Sequence, residues 1–282
     1  MRIHFRRTRP GPLEYHRRWP LRLVMAAALL FLYAPLVALM AFSFNDSRRN
    51  IVWHGFTLKY YEKLFANTEL MLAFANSLTI ALCSTLISII LGLSAAYGLW
   101  RFRFPGRTLY QSVMAMPIVI PEICMGVAMM AFMARTGWPQ DLVWPFNLGA
   151  IIIAHSAFSF PFAAIVIRAR LESFNRELAD SAQDLGAGEF RVFCDIILPH
   201  LRPAIVAGGL LAFTLSLDDF VITFFTSGPD SVTFPVKIYS MVRFSVTPEV
   251  NAASTLLIVI TVALTALALR LQQRAAAGVP AQ

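Results

Sequence analysis

Charged side chains are scarce in this sequence: Asp, Glu, Lys and Arg make up 14% of 282 residues, while hydrophobic residues make up 57%. So few charges cannot cover the surface of a water-soluble globule of this length, which excludes a soluble domain. Lysine is rarer still. Lys59, Lys63 and Lys237 are the three present and none follows a glycine, so there is no GxxxxGK[ST] phosphate loop and the chain is not itself an ATPase of that type. Cysteine is limited to Cys83, Cys124 and Cys194, too far apart for a CxxC or Cys/His cluster, which predicts neither a disulfide framework nor structural zinc. HExxH and GxSxG are absent, and no His/carboxylate group stands at ligand spacing, so no catalytic residue and no metal ligand is assigned.

What the sequence has in abundance is uncharged length. Residues 23–44 carry no charge over a stretch that crosses about 30 Å of hydrocarbon at about 1.5 Å per residue. An Arg-rich start precedes it, and the apolar run is too long for a cleaved signal, so it reads as an uncleaved signal anchor. Further spans are expected at 70–100, 108–134, within 142–167, at 204–225 and at 250–269. The fold class expected is an all-α polytopic membrane protein with six transmembrane helices. Its parts are a basic segment at 1–22, the first helix and its loop at 23–69, a core at 70–269 and a tail at 270–282.

The net charge of +8 first concerns topology. Seventeen of the 24 Lys and Arg residues fall before the first span, in the second-to-third and fourth-to-fifth loops, or after the last span. The positive-inside rule therefore predicts a multi-pass membrane protein with both termini and the 168–202 loop in the cytoplasm. The basic start also suits contact with membrane lipid, and nothing calls for nucleic acid.

The 168–202 loop concentrates charge, with Arg168, Arg170, Arg176, Arg191 and Arg202 against six acids. Leu178, Ala182 and Leu185 recur at helical spacing among polar residues, predicting a short amphipathic helix that Gly186 and Gly188 end. A second short helix is expected at 189–198, before Pro199. Such a hairpin suits either the membrane surface or a docked partner.

Within it, Asp180, Ser181 and Ala182, then Gly186 after three residues, Ile196 after nine, and Leu198-Pro199 resemble the cytoplasmic-loop motif of ABC importer permeases. That motif reads Glu-Ala-Ala, then Gly, Ile and Leu-Pro at the same spacing. Asp180 and Ser181 depart from it, keeping charge and small size respectively. Ser43-Phe44-Asn45, NSLTIA from Asn76, FTLSLDDF from Phe213, Ser227-Gly228-Pro229, PVKIYSM from Pro235 and PEVNA from Pro248 look like the permeases of spermidine/putrescine importers. The resemblance covers about Phe31 to Leu269. It implies a type I importer of the bacterial inner (plasma) membrane in which this chain pairs with a second permease, two ATPase subunits and a periplasmic binding protein. It also implies that the loop is the coupling element seated in the ATPase, that ATP and Mg are held by the ATPases, and that this chain binds no cofactor.

Ionisable groups inside spans are costly and mark pathways by default, which singles out Glu122, Asp218 and Asp219 for a cationic cargo. Ser216, Asp219, Thr223 and Thr226 fall on one stripe of a continuous fifth helix, with Asp218 about 100° away, favouring Asp219 as the pathway residue. The alternative for these acids is an interfacial or interhelical hydrogen-bonding role. Pro117 and Pro121 remove backbone donors, so the third span is expected to break beside Glu122. His155 reads as a hydrogen-bonded packing residue, and Trp53, Trp138 and Trp144 as interfacial anchors. Two other functions fit six spans: an ABC permease for another small solute, or an ion-coupled carrier, to which a motor-docking loop would be of no use.

Overall fold

The structure, a computed structural model, describes residues 19–47, 52–138, 142–244 and 248–277. Most of the basic segment and the last five residues of the tail therefore lie outside the described residues. Twelve helices follow in order: α1 Trp19–Phe42, α2 Lys59–Ala66, α3 Thr68–Arg101, α4 Arg107–Val119, α5 Glu122–Thr136, α6 Gly149–Glu172, α7 Arg176–Asp184, α8 Glu189–Val192, α9 Leu198–Leu217, α10 Val221–Thr226, α11 Phe234–Phe244 and α12 Pro248–Ala277. Among the described residues, pairing of the strand kind is limited to one bridge, Asn45 with Phe56. Among the described residues, five helical stretches are long and apolar enough to cross a membrane, and α4 and α5 taken together as one bent pair pass the same test as a sixth. The chain is thus the expected all-α multi-span protein.

α3, α6 and α9 form the centre of the bundle. α3 begins at Asn67, whose side chain accepts from Leu70 N–H at 3.2 Å, and carries Glu69 in its first turn and Arg101 in its last, charges that suit the helix dipole. Its buried stripe is mostly small: Ala73, Ser77, Ala81, Ser84, Ser88, Gly92 and Ala95. Small side chains let backbones approach where no water-driven force holds helices together. A Cβ at Gly92 would lie 2.9 Å from the Ala164 backbone nitrogen, and one at Gly208 3.2 Å from Ala163 Cα. Gly92→Leu is accordingly expected to destabilise the bundle by about 1–3 kcal/mol, lowering the thermal midpoint of the detergent-purified protein. Gly98→Leu is the control, because nothing lies within 4 Å of its Cβ position. α12 packs on α9, and α1 touches α12 but has no buried residue, presenting an apolar surface along its whole length.

Three sequence expectations need correction. The fifth span does not run unbroken over 204–225: its helix starts at Leu198, stops at Leu217, and resumes as the six-residue α10. No separate helix ends before Pro199 either, because α8 passes through a wide π turn, Phe193–Ile197, directly into α9. Pro199 has no N–H to give the carbonyl four residues back and its ring would crowd it; the wider turn, closed by Leu198 N–H to Phe193 O, makes room. The fourth span begins inside the expected 142–167, at Gly149 after a single 3₁₀ turn at Phe146–Leu148, but runs past it to Glu172.

The third span breaks where its prolines predict. α4 and α5 meet at 108°, with Ile120 extended (φ −71°, ψ 132°) ahead of Pro121. A residue before proline is pushed out of the helical region, and Pro121 cannot donate to α4.

Candidate functional site

The 168–202 segment folds as a hairpin at one end of the bundle. Asn175 caps α7 by accepting from Glu177 N–H at 3.0 Å. The helix closes around Gly186 (φ +87°), with Gly186 N–H bonded to Gln183 O at 2.8 Å and Ala187 N–H to Ala182 O at 3.0 Å. This left-handed closure is one that glycine adopts without strain. Val192, Ile197, Leu171 and Phe174 bury the root of the hairpin against α3, with Ala179, Ala182 and Ile196 packed around them. Arg101 pairs with Glu189 at 3.2 Å, and Arg176 sits 4.7 Å over the Trp100 ring. The hairpin is therefore fixed to the ends of α3, α6 and α9.

Of the motif residues, Ala182 and Ile196 face this root, Leu198 and Pro199 start α9 half-buried, and Asp180, Ser181 and Gly186 are exposed. The apolar face expected for α7 is divided. Ala182 turns inward beside Ala179, while Leu178 and Leu185 point out, 56% and 90% exposed. Phe190, to which no pattern in the sequence pointed, is 80% exposed on the other arm. These exposed apolar side chains make the hairpin a candidate interaction surface.

A second constellation forms where two spans break. α5 packs on α10 so closely that a Cβ on Gly126 would lie 2.8 Å from Phe225 and 3.4 Å from Ile222 Cα. Glu122 opens α5, and Asp218 and Asp219 fill the gap between α9 and α10, with Glu122 and Asp219 both within electrostatic reach of Asp218. The two adjacent aspartates have different surroundings. Asp219 is buried, its Oδ1 accepting from Thr223 N–H at 2.8 Å and Thr223 O–H at 2.9 Å, which holds the first turn of α10. Asp218 and Glu122 are exposed.

Behind Asp219 lies a buried polar chain. His155 of α6 contacts Ser216 Oγ at 2.7 Å through Nδ1, and Thr223 Oγ1 at 2.9 Å and Asp219 Oδ1 at 3.3 Å through Nε2. Ser84 of α3 donates to Ser216 Oγ at 3.0 Å. Because Thr223 donates to Asp219, it accepts from His155 Nε2–H; Ser216, accepting from Ser84, donates to Nδ1. Every hydroxyl proton in the chain then has an acceptor. The expected stripe of Ser216, Asp219 and Thr223 does converge, but on His155 and through a broken helix; Thr226 instead bonds the Ile222 carbonyl at 2.8 Å. His155 is buried and hydrogen-bonded, as a packing histidine should be.

At the end away from the hairpin, all three lysines are paired with acids: Lys59 with Asp46 at 3.3 Å, Lys63 with Glu249 at 3.4 Å and Lys237 with Glu69 at 2.6 Å. Trp53 and Trp144 are each 51% exposed there, and Trp144 Nε1–H donates to Asn76. Trp138 packs on Gly149.

Residues 88–279 match the family of the binding-protein-dependent transport system inner membrane component. Over 247 residues the chain is 40% identical to the putrescine transport system permease protein PotI of Escherichia coli (strain K12), covering 86% of each. It is 37% identical over 237 residues to the spermidine/putrescine transport system permease protein PotC of the same organism, covering 84% of this chain and 88% of that one. Among solved structures, a bacterial ABC transporter involved in the import of the acidic polysaccharide alginate has a TM-score of 0.70, covering 93% of this chain and 99% of its own, at 14% identity; that likeness concerns the fold alone. A multi-span bundle with an exposed hairpin at one end, acids at paired helix breaks and these relatives lead to one conclusion: the chain belongs to the family of inner membrane components of binding-protein-dependent transport systems, and is a transport subunit and not an enzyme.

Proposed function

We propose that this chain is one permease of an ATP-driven importer of polyamines, putrescine or spermidine. The observation that carries the reading is the 40% identity to a putrescine permease across 86% of both chains. The exposed acids Asp218 and Glu122 support it, since they lie at the breaks beside the packed half-helices α10 and α5, where a cationic amine would find negative charge. Asp219 belongs to the same pathway as the group that holds the break behind them. A second permease completes the pathway, and a periplasmic binding protein delivers the cargo. Two ATPase subunits, which hold ATP and Mg, dock on the hairpin with Asp180, Ser181, Gly186, Leu185 and Phe190 at the contact. The distribution of Lys and Arg supports cytoplasmic termini. ATP binding draws the ATPases together and moves the hairpin, and because the hairpin is continuous with α9, that motion reaches the Asp218 break.

The test is uptake of labelled putrescine and spermidine into proteoliposomes holding the full complex, with binding protein outside, ATP or a non-hydrolysable analogue inside, and ion gradients collapsed. Uptake needing both hydrolysable ATP and binding protein is expected. ATP turnover stimulated only by another solute's binding protein would keep the family and discard polyamines, and uptake driven only by an ion gradient would discard the ATP-driven reading. In the same assay Asp218→Asn with Glu122→Gln is expected to raise the KM for polyamine by roughly tenfold or more, since one contact pair near a protein surface is worth about 4 kcal/mol before desolvation. Unchanged kinetics would remove both acids from the pathway.

A further inference from the structure

A cavity of about 260 Å³ opens beside the hairpin, lined by Leu99, Trp100, Arg107, Arg168, Glu172, Phe174 and Arg176. Three guanidinium groups face it with one carboxylate. Arg168 Nε–H donates to Glu172 at 3.0 Å. Among the described residues Arg107 and Arg176 have only neutral acceptors: Arg107 donates to Leu99 O at 2.7 Å, and Arg176, which stacks on the Trp100 ring, donates to Trp100 O at 3.2 Å. Arg107 Nε is buried with no hydrogen-bond partner among the described residues. The site thus carries two uncompensated positive charges and an unused donor, a combination that favours a phosphate-bearing anion, to which guanidinium forks bind strongly.

The depth of the cavity says where that phosphate comes from. Its walls are the last turn of α3, the first residue of α4 and the last turns of α6, where the apolar runs of these helices give way to charged residues. One turn deeper, Tyr110 follows Arg107 on α4 and Ile165 precedes Arg168 on α6, 44% and 51% exposed. Apolar surface begins where the basic cavity ends, as a headgroup with acyl chains requires and a free ion does not. We infer that this cavity is a binding site for the phosphate of an anionic phospholipid, which anchors the root of the coupling hairpin to the membrane. The α7 helix starts at Arg176, so a bound headgroup bridges the spanning helices and the hairpin.

The test is native mass spectrometry of the full detergent-purified complex, offered equal phosphatidylglycerol and phosphatidylcholine. Wild type is expected to retain phosphatidylglycerol preferentially. Arg107→Gln with Arg176→Gln should reduce that preference roughly tenfold or more, at about 1 kcal/mol per basic residue. Arg107→Lys with Arg176→Lys, which keeps both charges but loses the forks and the Trp100 stack, should fall between wild type and the double Gln variant, while Arg103→Gln, at an exposed position outside the cavity, should leave the preference unchanged. No preference in wild type, or an equal preference in the double Gln variant, overturns the site. Displacement of the lipid by inorganic phosphate, with phosphate alone stabilising the complex as well as the lipid does, would reassign it to a free anion and overturn the lipid reading.

Discussion

Replacing Leu185 and Phe190 by aspartate is expected to abolish uptake by the reconstituted importer while leaving the permease inserted and folded. Both side chains are almost fully exposed in the isolated chain, 90% and 80%, and neither belongs to the cluster that holds the hairpin's root. Their substitution therefore costs the permease itself little. Against an ATPase groove each contributes about 1.5–3 kcal/mol of burial, so losing both weakens docking by about 3 kcal/mol or more, at least roughly a hundredfold. A buried aspartate without a partner adds to that loss. Co-purification of the ATPase should fall with uptake, and the thermal midpoint of the isolated permease should not move. Gly186→Pro acts on the same surface differently: proline fixes φ near −65° where the chain needs +87°, and it removes the N–H given to Gln183. Full uptake by the double aspartate variant would remove the hairpin from energy coupling.

How much of this was legible in the sequence depended on whether the cause was local. Pro121 announces its own break, because the missing donor and the restricted residue before it act within one turn. Gly186 likewise ends α7 by a property of its own backbone. The hairpin's position followed from residue spacing and loop charge. The break at Asp218 gave no such signal: residues 218–220 contain neither proline nor glycine, and the apolar run continues past them. Asp218 hydrogen-bonds back to Thr214 O at 3.2 Å as a helix would; the chain then leaves the helix because Asp219, His155 and Thr223 satisfy one another across three elements. That is a tertiary cause, and a helical wheel drawn through a continuous span could not contain it. The wheel favoured Asp219 for the pathway on spacing alone, without the buried His155 that engages it. Pro199 is the converse case, a local helix-ending signal absorbed by a wide turn that the buried cluster around Ile197 supports.

Asp219→Asn is expected to retain uptake within about threefold, whereas Asp219→Ala should lose it by more than tenfold; both follow from hydrogen-bond chemistry. Asn keeps an oxygen where Asp219 Oδ1 now accepts from Thr223 N–H and O–H, so the first turn of α10 remains closed and His155 keeps Thr223 as acceptor. Ala leaves a buried backbone donor and a buried hydroxyl without acceptors, at about 1–3 kcal/mol each. The break then relaxes, and with it the position of Asp218, whose exposed carboxylate is the group proposed to meet the cargo. His155→Leu tests the same arrangement from the far side. It leaves Ser216 and Thr223 without the imidazole and should resemble the Ala variant in lowered thermal stability while sparing every acid of the pathway. The discriminating result is a comparison of stability with transport. If the Asn variant is as stable as wild type yet loses uptake as completely as Asp218→Asn with Glu122→Gln, the charge of Asp219 itself acts on the cargo. If instead uptake tracks stability across the Asn, Ala and His155 variants, the buried chain from Ser84 to Asp219 is the frame that holds an acidic gap open between two half-helices.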